Sequence, residues 1–296
     1  MVPINILLPD GFLEPEVRWE YEISSKMKSV WAVELDLLDQ LMGVCKRHHL
    51  KIFADGGTLL GAIRHHGFIP WDDDIDLVMP REDYDKLCAI AASEFKSPYF
   101  FQSYRTEPGY PRRHAQFRNS MTTGILKNEF EIGYGFNQGI FIDIFVLDGL
   151  YDDEEKLANQ RKRGEFIQKF INYKANPKSR IRPLYYACKC IPWGFLTKRL
   201  DRVLTEKKYS ESKYVVNYGF SFELGKFVTK RERRFYDEDP VFVPFEHLTI
   251  PVPKHYHEWL SSRYGDYMKP SKAGAVHSGV IFDTDISYLD YFKKDV

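Results

Sequence analysis

Four aspartates occupy the five positions from 72 to 76, in the run Asp-Asp-Asp-Ile-Asp. Residues two apart on a β-strand project from the same face with Cα atoms about 6.6 Å apart, so Asp74 and Asp76 can direct their carboxylates into one cavity. Oxygen ligands without a neighbouring cysteine favour Mg²⁺ or Mn²⁺ over zinc. The spacing therefore predicts a divalent cation site at Asp74 and Asp76.

A further acid lies in the apolar run GIFIDIFVLDGL, where Asp143 shares one strand face with Phe141 and Phe145. A carboxylate in so apolar a strand is unusual, and it could supply a third metal ligand or act as a base. Sites with two metal ions stabilise the attacking and leaving oxygens of an in-line displacement at phosphorus. We therefore expect Asp143 to join Asp74 and Asp76 in the site.

A glycine pair precedes the acidic run, because Gly56, Gly57 and Thr58 lie between the segments LKIFAD and TLLGAIRHH. We expect a tight turn here from a strand into a short helix, since glycine adopts backbone conformations that other residues avoid. A helix N-terminus offers unpaired N–H groups to an anion, so these three residues are predicted to bind a phosphate. Arg64 is the nearest cation for that phosphate, although an exposed helix arginine explains it equally well.

Other polar residues near these motifs have simpler interpretations. Asp72 and Asp73 are expected in a solvated turn, because Pro-Trp-Asp-Asp has the composition of a loop. Four basic residues lie between the acidic segments: Arg112, Arg113, Arg118 and Lys127. They could contact a diphosphate, but a solvated loop is the expectation for each.

Regular patterns predict the elements that carry these motifs. From residue 16 to residue 50 there is no proline, and apolar residues recur every three or four positions, which predicts an amphipathic helix. The segment LKIFAD is predicted to be a short strand and DIDLVM a half-buried strand that includes Asp74. A helix is expected to begin near Arg81, after Pro80.

Composition narrows the functional classes. Forty-two basic residues balance 42 acidic ones, so no overall field attracts nucleic acid, and no nucleic-acid partner is expected. The four cysteines are typical of free thiols in a reducing compartment. Neither a signal peptide nor a run of about 18 apolar residues is visible. A cytoplasmic location is therefore expected. Aromatic and basic residues alternate over 180–204, which could place the chain at the inner face of an anionic membrane, although a packed helical subdomain is the favoured interpretation.

The long run FADGGTLLGAIRHHGFIPWDDDIDLVMPREDYDKL, with IFIDIFVLDGL and a late YGDYMKP, resembles the LicD family, to which fukutin-related proteins are distant kin. The resemblance is strong over residues 30–150 and weak over the last third. It implies an α+β (α/β) fold with a nucleotidyltransferase-like mixed sheet flanked by helices. Residues 1–150 would form the catalytic core, and the mainly helical region 151–296 would complete the substrate cleft.

The resemblance also implies an activity. It predicts Mg²⁺-dependent transfer of phosphocholine, or a related alcohol phosphate, from CDP-choline or another CDP-alcohol to a sugar hydroxyl. The acceptor would be a cell-surface glycan (teichoic acid, lipopolysaccharide or capsule) or a lipid-linked oligosaccharide. The metal carboxylates would be Asp74 and Asp76, with Asp143 as the third, and no Cys/His cluster matches the zinc-binding insertion of distant relatives.

Two other functions stay open from the sequence. The same motifs suit a nucleotidyltransferase that uses CTP or ATP to modify a small molecule or a protein. A non-catalytic nucleotide-binding subunit is the third interpretation, and the presence of all three carboxylates counts against it.

Overall fold

The computed structural model describes residues 4–181, 183–218, 230–269 and 279–294. Its α-helices, in chain order, are α1 (Ser25–Arg47), α2 (Gly56–His65), α3 (Arg81–Glu94), α4 (Lys127–Ile132), α5 (Glu154–Ala175), α6 (Pro183–Lys189), α7 (Trp193–Leu204), α8 (Tyr256–Tyr264) and α9 (Tyr288–Lys294). Its strands are β1 (Glu16–Arg18), β2 (Tyr21–Ile23), β3 (Phe53–Ala54), β4 (Asp76–Pro80), β5 (Tyr99–Gln102), β6 (Ala115–Asn119), β7 (Thr123–Leu126), β8 (Ile140–Gly149), β9 (Tyr214–Asn217), β10 (Arg231–Glu232), β11 (Val241–Phe245), β12 (Leu248–Val252) and β13 (Val280–Asp283).

The central element is a seven-stranded sheet built around the long strand β8. Strand β4 runs parallel to β8 on one edge, and β3 pairs antiparallel with β4. On the other edge, β6 pairs with the first half of β8 and β9 with its end, both antiparallel. The sheet is therefore mixed, and the predicted α+β class is confirmed. Strands β9 and β10 come from the region after residue 150 and extend the same sheet, while the predicted domain boundary at 150 stays a prediction.

Helix α1 confirms the amphipathic helix within narrower bounds. It begins at Ser25, because the side chain of Ser24 accepts the N–H of Met27 at 3.2 Å and caps the first turn. The preceding residues form the hairpin of β1 and β2 instead of helix. The apolar face of α1 is buried in the main core, which also contains the inward residues of β4 and β8.

Strand β4 begins at Asp76 and not at Asp74, which corrects the predicted strand. The backbone N–H of Asp76 donates to the side-chain oxygen of Thr58 at 2.8 Å. At the first residue of β4, this N–H is therefore bound by a side chain and not by the backbone of a neighbouring strand. Asp74 therefore lies in the irregular segment before the strand. The helix predicted near Arg81 is confirmed as α3.

Within the described ranges, every helix is too short or too polar to cross a lipid bilayer.

Candidate active site

Two of the predicted acids meet on neighbouring strands. Asp76 at the start of β4 is the direct register partner of Asp143 on β8, and paired residues of parallel strands project from the same face of a sheet. Burial raises the pKa of Asp76 well above its ordinary value, and the negative charges of Asp74 and Asp143 raise it further. The structure therefore brings Asp74, Asp76 and Asp143 into one electrostatic cluster.

The first residues of the acidic run join this cluster. Asp72, Asp73 and Asp74 each offer an oxygen within 4.8 Å of those of the other two, as ligands of one cation would. Asp73 is only 8% exposed, and burial together with the charge of Asp73 raises the pKa of Asp72 to about 7. The segment is a loop, as expected, but the expected solvation is wrong for Asp73, which is buried, and holds only in part for Asp72, which is half-buried.

Helix α1 explains why this loop folds inward. The indole N–H of Trp31 donates to the carbonyl oxygen of Asp72 at 3.0 Å, and the N–H of Asp72 donates to the carbonyl of Ile69 at 2.8 Å. Trp31 also stacks on Phe68, with ring centroids 4.4 Å apart. The segment that enters the acidic run is thus anchored to the core by an aromatic residue far away in sequence.

The glycine turn lies against these carboxylates. Gly56 opens α2 with φ of +52°, and a Cβ there would lie 3.3 Å from Oδ2 of Asp76. A Cβ on Gly57 would lie 2.6 Å from Oδ2 of Asp72. The two glycines therefore let carboxylates approach the N-terminus of α2, whose partial positive charge stabilises them.

Phosphate binding by Gly56, Gly57 and Thr58 stays a prediction. The observed role of Thr58 is to hold the backbone of Asp76 through its buried hydroxyl oxygen. Arg64 lies at the far end of α2, about 12 Å along the helix from Gly56. Its side chain donates to the carbonyl of Tyr267 at 3.0 Å, and phosphate binding by Arg64 likewise stays a prediction.

A buried ion pair holds the residue before the glycines. Arg231 donates to both carboxylate oxygens of Asp55, at 2.8 and 2.7 Å, and to the hydroxyl of Tyr236. Its guanidinium also lies 4.8 Å from the ring centre of Trp259. Residues 176 positions apart are thereby joined, and the strand β10 positions the glycine turn. Nothing in the local sequence around Arg231 indicates this contact.

Asp143 has two polar neighbours on β6 and just before it. His114 Nε2 lies 3.3 Å from Oδ1 of Asp143, and Gln116 is its register partner and hydrogen-bonds to it. Burial alone would raise the pKa of Asp143, but the charge of His114 and the hydrogen bonds from His114 and Gln116 outweigh it and lower the pKa. Asp143 is therefore an anion at neutral pH.

The basic residues before and on β6 are not in a solvated loop, which corrects that expectation for Arg113 and Arg118. Both are buried. Arg118 donates to Gln102 and to the carbonyl of Gly139, each at 2.5 Å, and also to the side-chain oxygen of Gln116. Arg118 thus orients Gln116 so that its amide N–H₂ faces Asp143. Lys127 is exposed, but it is the first residue of α4 and does not lie in a loop.

Helix α1 contributes an acid that the sequence did not single out. Glu34 is 1% exposed, and its Oε2 has no hydrogen-bond partner among the described residues. Burial raises its pKa well above the ordinary value, and the charges of Asp73 and Asp74 raise it further. The signal was present, because Glu34 lies three residues after Trp31 and four before Leu38, within the apolar face of the helix.

Carboxylates this close destabilise one another unless positive charge lies among them. The donor set consists of oxygen atoms, and Oε2 of Glu34 is among the buried oxygens that accept no hydrogen bond within the described part of the chain. Such hard donors fit Mg²⁺ or Mn²⁺. Asp74, Asp76 and Asp143 are the predicted ligands, and Asp72 and Asp73 lie close enough to Asp74 to share the ion with them.

The chain is similar in sequence to several known proteins. The family model described as "LicD/FKTN/FKRP, nucleotidyltransferase domain" matches residues 49–184. The lipopolysaccharide cholinephosphotransferase LicD of Haemophilus influenzae is 26% identical over 250 residues, which cover 79% of this chain and 88% of that protein. An uncharacterized protein of Rickettsia prowazekii is 38% identical over 65 residues, which cover 22% of this chain and 23% of that protein.

The family match spans the glycine turn, the acidic run and Asp143, which are the residues that the sheet and α2 bring together. The motif resemblance to the LicD family is thereby confirmed, since a family model and the relative from Haemophilus influenzae both match this chain.

Proposed function

We propose that the protein transfers phosphocholine, or a related alcohol phosphate, from a CDP-activated donor to a sugar hydroxyl of a cell-surface glycan. The observation that carries the proposal is the pairing of Asp76 with Asp143 beside the glycine turn. The relative from Haemophilus influenzae is named as a cholinephosphotransferase of lipopolysaccharide, which supports an enzyme of the phosphotransferase class. Lipopolysaccharide is therefore the first acceptor to test, followed by teichoic acid and capsule.

The reaction is a displacement at phosphorus. The sugar oxygen forms a bond to the phosphorus that carries choline, the bond from that phosphorus to the CMP oxygen breaks, and CMP leaves with the electron pair. A divalent cation held here would supply positive charge to the phosphate oxygens. The N–H groups of the glycine turn support the same charge from the protein side.

Asp143 suits the ligand role better than the base role. A general base works best when its pKa lies near the operating pH, whereas His114 and Gln116 lower the pKa of Asp143. The carboxylate is thus kept ionised and oriented on β8. The proton of the sugar hydroxyl then passes to solvent or to another carboxylate of the cluster.

Nucleotidyl transfer is the second candidate, because the matching family model is described as a nucleotidyltransferase domain. In that reaction CTP or ATP would lose pyrophosphate, and a small molecule or a protein would receive the nucleotide. The products separate the two functions, since transfer from a CDP-alcohol releases CMP and no pyrophosphate.

The deciding experiment incubates the purified protein with CDP-choline, CDP-ethanolamine, CDP-glycerol and CDP-ribitol, with Mg²⁺ or Mn²⁺, and with candidate glycans. CMP release that depends on both glycan and metal is the expected result. Asp76→Asn is the matched negative control. A blank panel together with pyrophosphate release from CTP would favour nucleotidyl transfer instead.

Peripheral contact with an anionic membrane is part of the proposal for the acceptor side. Helices α5 and α7 border an apolar groove of about 730 Å³, and the exposed rings of Phe166 and Phe195 flank it. Its rim carries Lys162, Arg199 and Arg202 among other charged residues. Basic residues beside exposed aromatic rings complement an anionic lipid surface, where lipid-linked acceptors would be found.

A further inference from the structure

Helix α1 carries two buried acids whose surroundings differ. Asp36 is fully buried and satisfied, because it accepts the N–H groups of Asn5 and Ile6, at 2.8 and 3.2 Å, and the hydroxyl of Tyr99 at 2.7 Å. Glu34, two residues earlier, is equally buried, yet its Oε2 accepts no hydrogen bond from any described residue. Buried polar atoms are nearly always paired, so the unpaired oxygen of Glu34 needs a partner that the described chain does not supply.

The position of Glu34 indicates what that partner is. One turn earlier on α1, the indole of Trp31 donates to the carbonyl of Asp72, so this face of the helix is in contact with the acidic run. The charges that act on Glu34, besides its burial, come from Asp72, Asp73, Asp74 and more weakly Asp143. Trp31 and Glu34 are three residues apart and share one face of α1, so the Glu34 side chain lies on the side of the helix that meets the acidic run.

A buried carboxyl group that lies close to other carboxylates is stabilised only by binding a proton or a cation. The oxygens of Asp72, Asp73 and Asp74 already lie within 4.8 Å of one another, as for ligands of a single ion. A fourth carboxylate from α1 would raise the charge of the ligand set, which strengthens binding of a hard divalent cation.

We propose that Glu34 is an additional acidic ligand of the divalent cation site, on the side formed by Asp72, Asp73 and Asp74. The inference rests on the proposed function, which requires a cation at this end of the sheet. It extends the site beyond the glycine turn and the acidic run, to a helix that precedes both in sequence. Helix α1 is thus part of the metal site as well as part of the core.

The test compares Glu34→Gln with Asp36→Asn in the full chain, using Mn²⁺ alone as the probe. Binding is measured by electron paramagnetic resonance of free Mn²⁺, and melting temperatures are measured with and without the ion. We expect Glu34→Gln to weaken Mn²⁺ binding about 10–100-fold. Its metal-free melting temperature should stay the same or rise, because one repelling carboxylate is gone. Asp36→Asn should melt earlier and bind Mn²⁺ like the wild type.

Glu34→Met is the second variant, in case the amide fails to fold, because methionine has a similar volume and forms helix well. Wild-type Mn²⁺ affinity in either Glu34 variant would overturn the inference. A wild-type protein that binds no Mn²⁺ at all would instead contradict the metal site of the proposed function. The two failures are therefore distinguishable.

Discussion

The buried pair of Arg231 and Asp55 makes a quantitative prediction. Replacing Arg231 by methionine leaves a side chain beside Trp259 but removes the cation–π contact and both hydrogen bonds to the Asp55 carboxylate. Asp55 is then left as a buried acid without its counter-charge, at the residue that precedes the glycine turn. We expect a large loss of stability and a displaced N-terminus of α2.

The magnitude follows from burial. The side chains of Arg231 and Asp55 are 7% and 8% exposed, so solvent screens the pair only weakly. Breaking such a pair by removing one partner costs about 3–5 kcal/mol. For a chain of 296 residues, whose unfolding entropy is about 0.6 kcal/mol/K, that corresponds to a fall in melting temperature of about 5–8 °C. Replacing both partners costs less, because no unpaired charge remains buried.

The assay is a double-mutant cycle of Arg231→Met, Asp55→Asn and the double variant, measured by thermal and urea unfolding. Arg234→Met is the matched control, because Arg234 makes exposed ion pairs with Glu232 and Glu258 and should hardly change the melting temperature. The reasoning is refuted if Arg231→Met loses less than about 1 kcal/mol, or if the double variant loses the sum of the two single losses.

Three further predictions test the carboxylate cluster and the groove. Asp76→Asn should raise the melting temperature of the metal-free protein. The same change should lower the rate of CMP release more than about 100-fold. An unchanged rate of release would count against the mechanism. The pKa of Asp72 is raised from 3.8 to about 7 in the folded protein, so the contribution of Asp72 to folding stability is full at low pH and is lost as the pH rises through this range. The metal-free wild type should therefore lose more stability between these pH values than Asp72→Asn does. Equal profiles of stability against pH would contradict the raised pKa. Replacing both Phe166 and Phe195 by alanine should reduce cosedimentation of the protein with anionic vesicles. Phe242→Ala is the control, because Phe242 is exposed but lies outside the groove, and it should leave cosedimentation unchanged. Equal cosedimentation of all variants would argue against the membrane surface.

Local patterns predicted much of the fold. Alternation identified β4 and β8, spacing identified α1, and the glycine pair identified the turn into α2, because each depends on residues a few positions apart. The exact start of β4 was not predictable, since it depends on a hydrogen bond from Asp76 to Thr58, 18 residues earlier.

Local patterns misjudged residues whose burial is decided by distant chain segments. The composition of Pro-Trp-Asp-Asp is that of a loop, and it is a loop, but Trp31 draws it into the core. Likewise, Arg118 is buried because β6 pairs with both β5 and β8, and Gln102 and Gly139 then satisfy its guanidinium. A solvated loop and a buried polar network can have the same local sequence.

The sequence by itself determined which kinds of side chain are available: oxygen ligands at Asp74, Asp76 and Asp143, and glycines that open a helix. Only the tertiary structure decided which of these side chains lie in the same site, because the parallel pairing of β4 with β8 places Asp76 opposite Asp143. It also added Glu34 and Arg231, from opposite ends of the chain. The physical reason is that charge and burial act through space, over a few ångströms, whatever the separation along the chain.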